Sequence, residues 1–150
     1  MQAEHVEATA EFSDTFYQYA CLVNDLPNIR GEVFSEIDLN KIEIIVKKII
    51  KIALDSHGQE GIRSVEILAL LKVSDEYVHI CFCKTDLGNP FWTDRQRKIV
   101  DIKSELKKAY TEFGNQKDLT DLLATTDGKK NYDSTWIELR RRNQNLAVTS

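Results

Sequence analysis

The stretch from Ser64 to Thr85 constrains the fold most strongly. Val65, Ile67, Ala69 and Leu71 recur at every second position, and after Ser74, Asp75 and Glu76 the same period resumes at Val78, Ile80 and Phe82. Side chains of a strand alternate between two faces, and a short polar triplet between two such runs reads as a turn. The expectation is a β-hairpin. Leu68, Leu70, Cys81 and Cys83 fill the alternate positions. With both faces apolar, the hairpin is expected in the middle of a sheet, covered on both sides or contributing to a homodimer.

On either side of this stretch the period changes to that of a helix. Phe12, Phe16, Tyr19 or Ala20, and Val23 fall on one helical face. Asn24 to Arg30, with Asp25, Pro27 and Asn28, reads as a loop, and Gly31 to Ile37 as a short edge strand. Asp38 then serves as N-cap of a helix whose stripe is Ile42, Ile45 or Val46, Ile49, and Ile52 or Ala53, ending before Gly58. Ile44 and Ile50 widen that stripe and predict contact on two sides. The β-branched residues lower intrinsic helix propensity, so tertiary burial must hold this helix.

After a loop from Asp86 to Trp92, Thr93 and Gln96 have capping-box spacing. Ile99, Ile102, Leu106, Tyr110 and Phe113 follow as an amphipathic helix stopped by Gly114. Leu119, Leu122 and Leu123 fit a short helix, Asp127-Gly128 a turn, and the alternation of Thr135, Ile137 and Leu139 a last strand ending at Arg140. This order predicts an α+β fold: a two-layer sandwich, a mainly antiparallel sheet with helices on one face. The whole chain reads as one domain with polar tails at about 1–10 and 143–150.

A net charge of −4 argues against a nucleic-acid partner. The most apolar segment, Lys41 to Leu54, is interrupted by Lys47, Lys48 and Lys51, so no membrane span is expected. The acidic, polar start of the chain has no basic-then-apolar pattern of a secretory leader, which points to the cytoplasm. The three cysteines form no zinc-type spacing and predict reduced thiols, with Cys81 and Cys83 sharing one face of a strand as packing residues.

No G-x-S-x-G, P-loop or other intact catalytic motif is present. His5 lies in a tail, His79 on the polar side of a strand, and His57 at a helix end beside Gly58, where a cation complements the helix dipole. Two basic clusters stand out: Arg95, Arg97 and Lys98 at a helix start, and Arg140, Arg141 and Arg142 at the end of the last strand. Either suits a phosphate or an acidic protein; the plainer reading of each is a solvated charged surface. Phe91 and Trp92 beside the first cluster give it the composition of a binding hot spot. The candidate partner-binding residues are therefore Asp86, Asn89, Phe91, Trp92, Arg95 and Arg97, with no catalytic or metal-ligating residue assigned.

The run Ala53-Leu54-Asp55-Ser56-His57-Gly58, the two strands, and Lys84-Thr85-Asp86-Leu87-Gly88-Asn89-Pro90 together resemble the core of the GHKL ATPases, in particular the anti-sigma-factor serine-kinase branch. In that family a helix ends in an N-A-x-x-H-G-like box and a hairpin delivers D-x-G-x-G. His57-Gly58 and Asp86-Gly88 match parts of these motifs. The resemblance places Ile49 where the general-base glutamate would be, Ala53 at the magnesium-binding asparagine and Pro90 at the second glycine. A site without metal ligand or phosphate loop loses its main electrostatic stabilisation of phosphoryl transfer.

The resemblance thus implies a degenerate member that has lost ATP turnover. The function expected is a non-catalytic regulatory domain that binds another protein, in a bacterial signalling or partner-switching circuit, with no cofactor and with homodimerisation as an option. The alternatives are an ATP-binding GHKL-type kinase or ATPase, with ATP and Mg²⁺ as its ligands, and a small assembly or secretion chaperone.

Overall fold

The computed structural model describes residues 20–27, 36–56, 62–84 and 94–143. Five helices are described within them: α1 Glu36–Asp55, α2 Ile62–Lys84, α3 Asp94–Gly114, α4 Lys117–Leu123 and α5 Thr126–Arg142. Residues 20–24 form a further helical piece. Among the described residues there is no strand. The α+β sandwich expected from the sequence is therefore incorrect; the described chain is a helical bundle.

The bundle is organised around α2, which packs against α1, α3, α4 and α5. Every residue from Ser64 to Leu71 is buried, and Val73, Ser74, Tyr77, Val78 and Cys81 continue the burial. A helix enclosed by neighbours is apolar on most of its circumference and shows no 3.6-residue stripe. This explains the hairpin expectation and its failure. In a segment where nearly every position is apolar, any alternate set looks like one face of a strand, and periodicity cannot separate a buried strand from a buried helix.

The triplet Ser74-Asp75-Glu76 is not a turn. Ser74 Oγ donates to the Leu70 carbonyl one helical turn back at 2.8 Å, satisfying a buried hydroxyl without breaking the helix. Glu76 reaches Arg140 of α5, with Oε1 3.0 Å from Nε. Cys81 and Cys83 do not share a face either: two residues apart on a helix, Cys81 is buried and Cys83 exposed.

The outer helices are amphipathic in the ordinary way. On α1, Leu39, Ile42, Ile45, Val46, Ile49 and Ala53 are buried, and on α3 Ile99, Ile102, Leu106, Ala109 and Phe113 are. At about 25 cal/mol per Å² of apolar area removed from water, these stripes hold the β-branched α1 in a helical form that its local propensity disfavours. The helix begins at Glu36, so Asp38 lies inside it rather than capping it. Ile37 belongs to α1 rather than to an edge strand; residues 31–35 of that expected strand lie outside the described residues. So do Phe12, Phe16 and Thr93, while Ala20 and Val23 of the first predicted helix are in the core.

The expected last strand is the C-terminal half of α5. Thr135 and Leu139, four apart, are buried as one helical face. Asp127-Gly128, read from the sequence as a turn, forms the first turn of this helix: Thr125 is the N-cap and its Oγ1 accepts from the Gly128 N–H at 3.0 Å. Glycine is required there because a Cβ would lie 2.0 Å from the Leu122 carbonyl oxygen. Residues 20–27 are fastened to the bundle by two hydrogen bonds: Asn143 Nδ2 donates to the Val23 carbonyl at 3.2 Å, and the Tyr77 hydroxyl donates to that of Pro27. Among the described residues, no helix is long and apolar enough to cross a membrane.

Candidate functional site

The arginines at the end of α5 are held by internal partners. Glu138, with 3% of its side chain exposed, receives Arg141 at 2.7 and 3.0 Å and Arg142 at 2.9 Å. Arg140 pairs with Glu76 and lies over the Trp136 ring, its guanidinium carbon 4.9 Å from the centroid; Lys72 approaches the same ring at 5.7 Å. The Arg140 N–H is not directed along its pair, so that contact is a charge interaction rather than a well-aimed hydrogen bond. Three cations in the last turn also complement the helix dipole. Arg140 ties α5 to α2, while Arg141 and Arg142 pair with Glu138 of their own helix, which accounts for the clustering without an anionic ligand.

Burial dominates the ionisation of the tyrosines here. It pushes the Tyr77 phenol upward, with Cys81 and Asp38 adding to the effect. Tyr132, beside the Tyr110 hydroxyl at 3.5 Å, is raised for the same reason first and by Tyr110 second. Both phenols stay protonated at neutral pH and act as packing groups with a polar tip.

The outward side of α1 is different. At about 100° per residue, Ile44, Lys47, Lys51 and Leu54 point away from the direction shared by Ile42, Ile49 and Ala53. Ile44 is 55% exposed and Leu54 58%, the two most exposed large aliphatics in the described chain. Ile44 thus does not widen the buried stripe, as its position in sequence had suggested. Lys41, Lys47, Lys48 and Lys51 surround the pair, against Glu43 and Asp55, which hold Lys47 and Lys51 at 3.6 and 3.2 Å.

This side of α1 meets the start of α3. Lys98 Nζ donates to Asn40 Oδ1 at 2.6 Å and lies 3.7 Å from Glu43. Arg97 is exposed next to it, 3.9 Å from Asp94. Of the residues expected from sequence to contact a partner, Arg97 alone has a described side chain. Arg95 lies on the first turn of α3, its side chain outside the described residues, as are Asp86, Asn89, Phe91 and Trp92 altogether. Ile44 and Leu54 were missed, although the signal was present: both fall among lysines once the stripe is drawn on a helical wheel.

Two of the positions aligned with GHKL chemistry are structural, and His57, Gly58, Asp86, Gly88 and Pro90 lie outside the described residues. Ile49 and Ala53 are in the core, and residues 64–84, where the hairpin is expected, lie in α2. The hairpin that the GHKL resemblance requires is therefore absent among the described residues of this stretch. Among the described residues no three His, Cys, Asp or Glu side chains converge as a metal site. No protein family, curated protein or solved structure matches the chain.

Proposed function

We propose that this chain is a non-catalytic regulatory module that binds another protein through the outward side of α1 and the adjoining first turn of α3. The observation that carries the reading is the exposure of Ile44 and Leu54 on a helix whose opposite side is fully engaged in the core. Aliphatic side chains ringed by lysines supply apolar contact area with charge at its rim, the anatomy of a protein interface. The lysine surplus of this surface, in a chain of net charge −4, favours an acidic partner. Arg97 lies at its edge, which joins this surface to the cluster singled out from sequence.

A photo-crosslinker placed at position 44 or 54 in the full chain should capture one stoichiometric protein from the source cell's extract, and one at Lys107 should not. Leu54→Glu should abolish that capture without changing helix content. Binding of Mg²⁺-ATP with turnover would overturn the non-catalytic part, and equal capture from position 107 would overturn the surface.

A further inference from the structure

The exposed strip of α2 ends in two side chains that ligate soft metals. His79 and Cys83 are four residues apart, both exposed, while Tyr77, Val78 and Cys81 around them are buried. His79 Nε2 lies 3.5 Å from Cys83 Sγ. A tetrahedral zinc ion, with Zn–S of about 2.3 Å and Zn–N of about 2.0–2.1 Å, holds its sulfur and nitrogen ligands about 3.6 Å apart. The helix backbone sets this spacing, because residues four apart stand one above the other on the same face. The donor atoms therefore have the bite of a tetrahedral metal already, and the same separation lets thiol and ring hydrogen-bond when no metal is held.

Two donors fill half of such a shell. Among the described residues no third His, Cys, Asp or Glu side chain joins them. A second copy related by a two-fold axis presents each residue to its equivalent, so one His79-Cys83 pair facing another makes a Cys₂His₂ set. We propose that His79 and Cys83 form half of a zinc-class site that is completed by the same pair of a second copy. On binding, each Cys83 thiol releases its proton to solvent and ligates as thiolate, and each His79 binds neutral through Nε2. Two thiolates balance the charge of one divalent ion, which suits a contact between two acidic chains.

Co²⁺ is the probe, added to the full chain in a non-thiol reductant and followed by absorption and sedimentation velocity. The expected result is saturation at half an equivalent per chain in a dimer, with thiolate-to-cobalt charge transfer and strong tetrahedral ligand-field bands that Zn²⁺ bleaches. Cys83→Ala and His79→Ala should each remove the bands while circular dichroism shows the helices intact, and Cys21→Ala should keep them. The absence of a charge-transfer band, its survival in Cys83→Ala, or saturation at one metal per monomer would each overturn the proposal.

Discussion

α2 and α3 are nearly the same length, 23 and 21 residues, yet they are held by opposite means. α3 buries one stripe and leaves Lys107, Lys108 and Glu112 in solvent, so each residue's role follows from its angle around the helix. α2 is enclosed by four other helices, and its polar groups are accommodated individually: Ser74 on the Leu70 carbonyl, Glu76 on Arg140, the Tyr77 hydroxyl on Pro27. The difference teaches where the stability resides. A bundle built around one central helix concentrates its sensitivity to substitution there, and its peripheral helices retain a free side for other uses.

The sharpest way to break this contrast is proline at position 75. Were Ser74-Asp75-Glu76 a hairpin turn, Asp75→Pro would be tolerated; inside α2 it removes a backbone donor and clashes with the preceding turn, costing about 3 kcal/mol or more in urea denaturation. Leu70→Ala, at a fully buried side chain, should cost about 3 kcal/mol by the same measurement. Tyr77→Phe probes the polar tip at the centre and should cost about 1 kcal/mol at neutral pH. Because burial raises the Tyr77 pKa in the folded state, the unfolded chain releases its proton first as pH rises. Stability should thus fall above about pH 10, and fall less steeply in Tyr77→Phe, as read from thermal melts across alkaline pH. Lys107→Ala on the solvent side of α3 should change stability by less than about 0.5 kcal/mol.

The same contrast explains what could be read from the sequence. α1, α3 and α4 were legible because a one-sided helix writes its 3.6-residue period into the chain, and the C-terminal bound of α3 followed from Gly114. α2 was not, since enclosure removes the period: with Val65 through Leu71 apolar except Glu66, which is itself buried, alternation carried no information about direction. The C-terminal half of α5 failed for a related reason. Glu138 is charged yet buried and Ile137 is apolar yet 40% exposed, so polarity there reports ion pairing rather than solvent. For the candidate surface, Arg97 was singled out from its basic cluster, whereas Ile44 was absorbed into a stripe it does not belong to and Leu54 was passed over as a binding residue.

The central claim is that residues 62–84 form one uninterrupted helix at the middle of the bundle. Backbone NMR assignment of the full chain tests it most directly, through Cα chemical shifts and short-range amide contacts along this stretch. The structure predicts helical shifts without interruption through Ser74, Asp75 and Glu76, with αH-to-amide contacts three residues apart from Ser64 to Cys83. Extended-chain shifts at Val65–Leu71 and Val78–Phe82, with cross-strand contacts between those two runs, would contradict it.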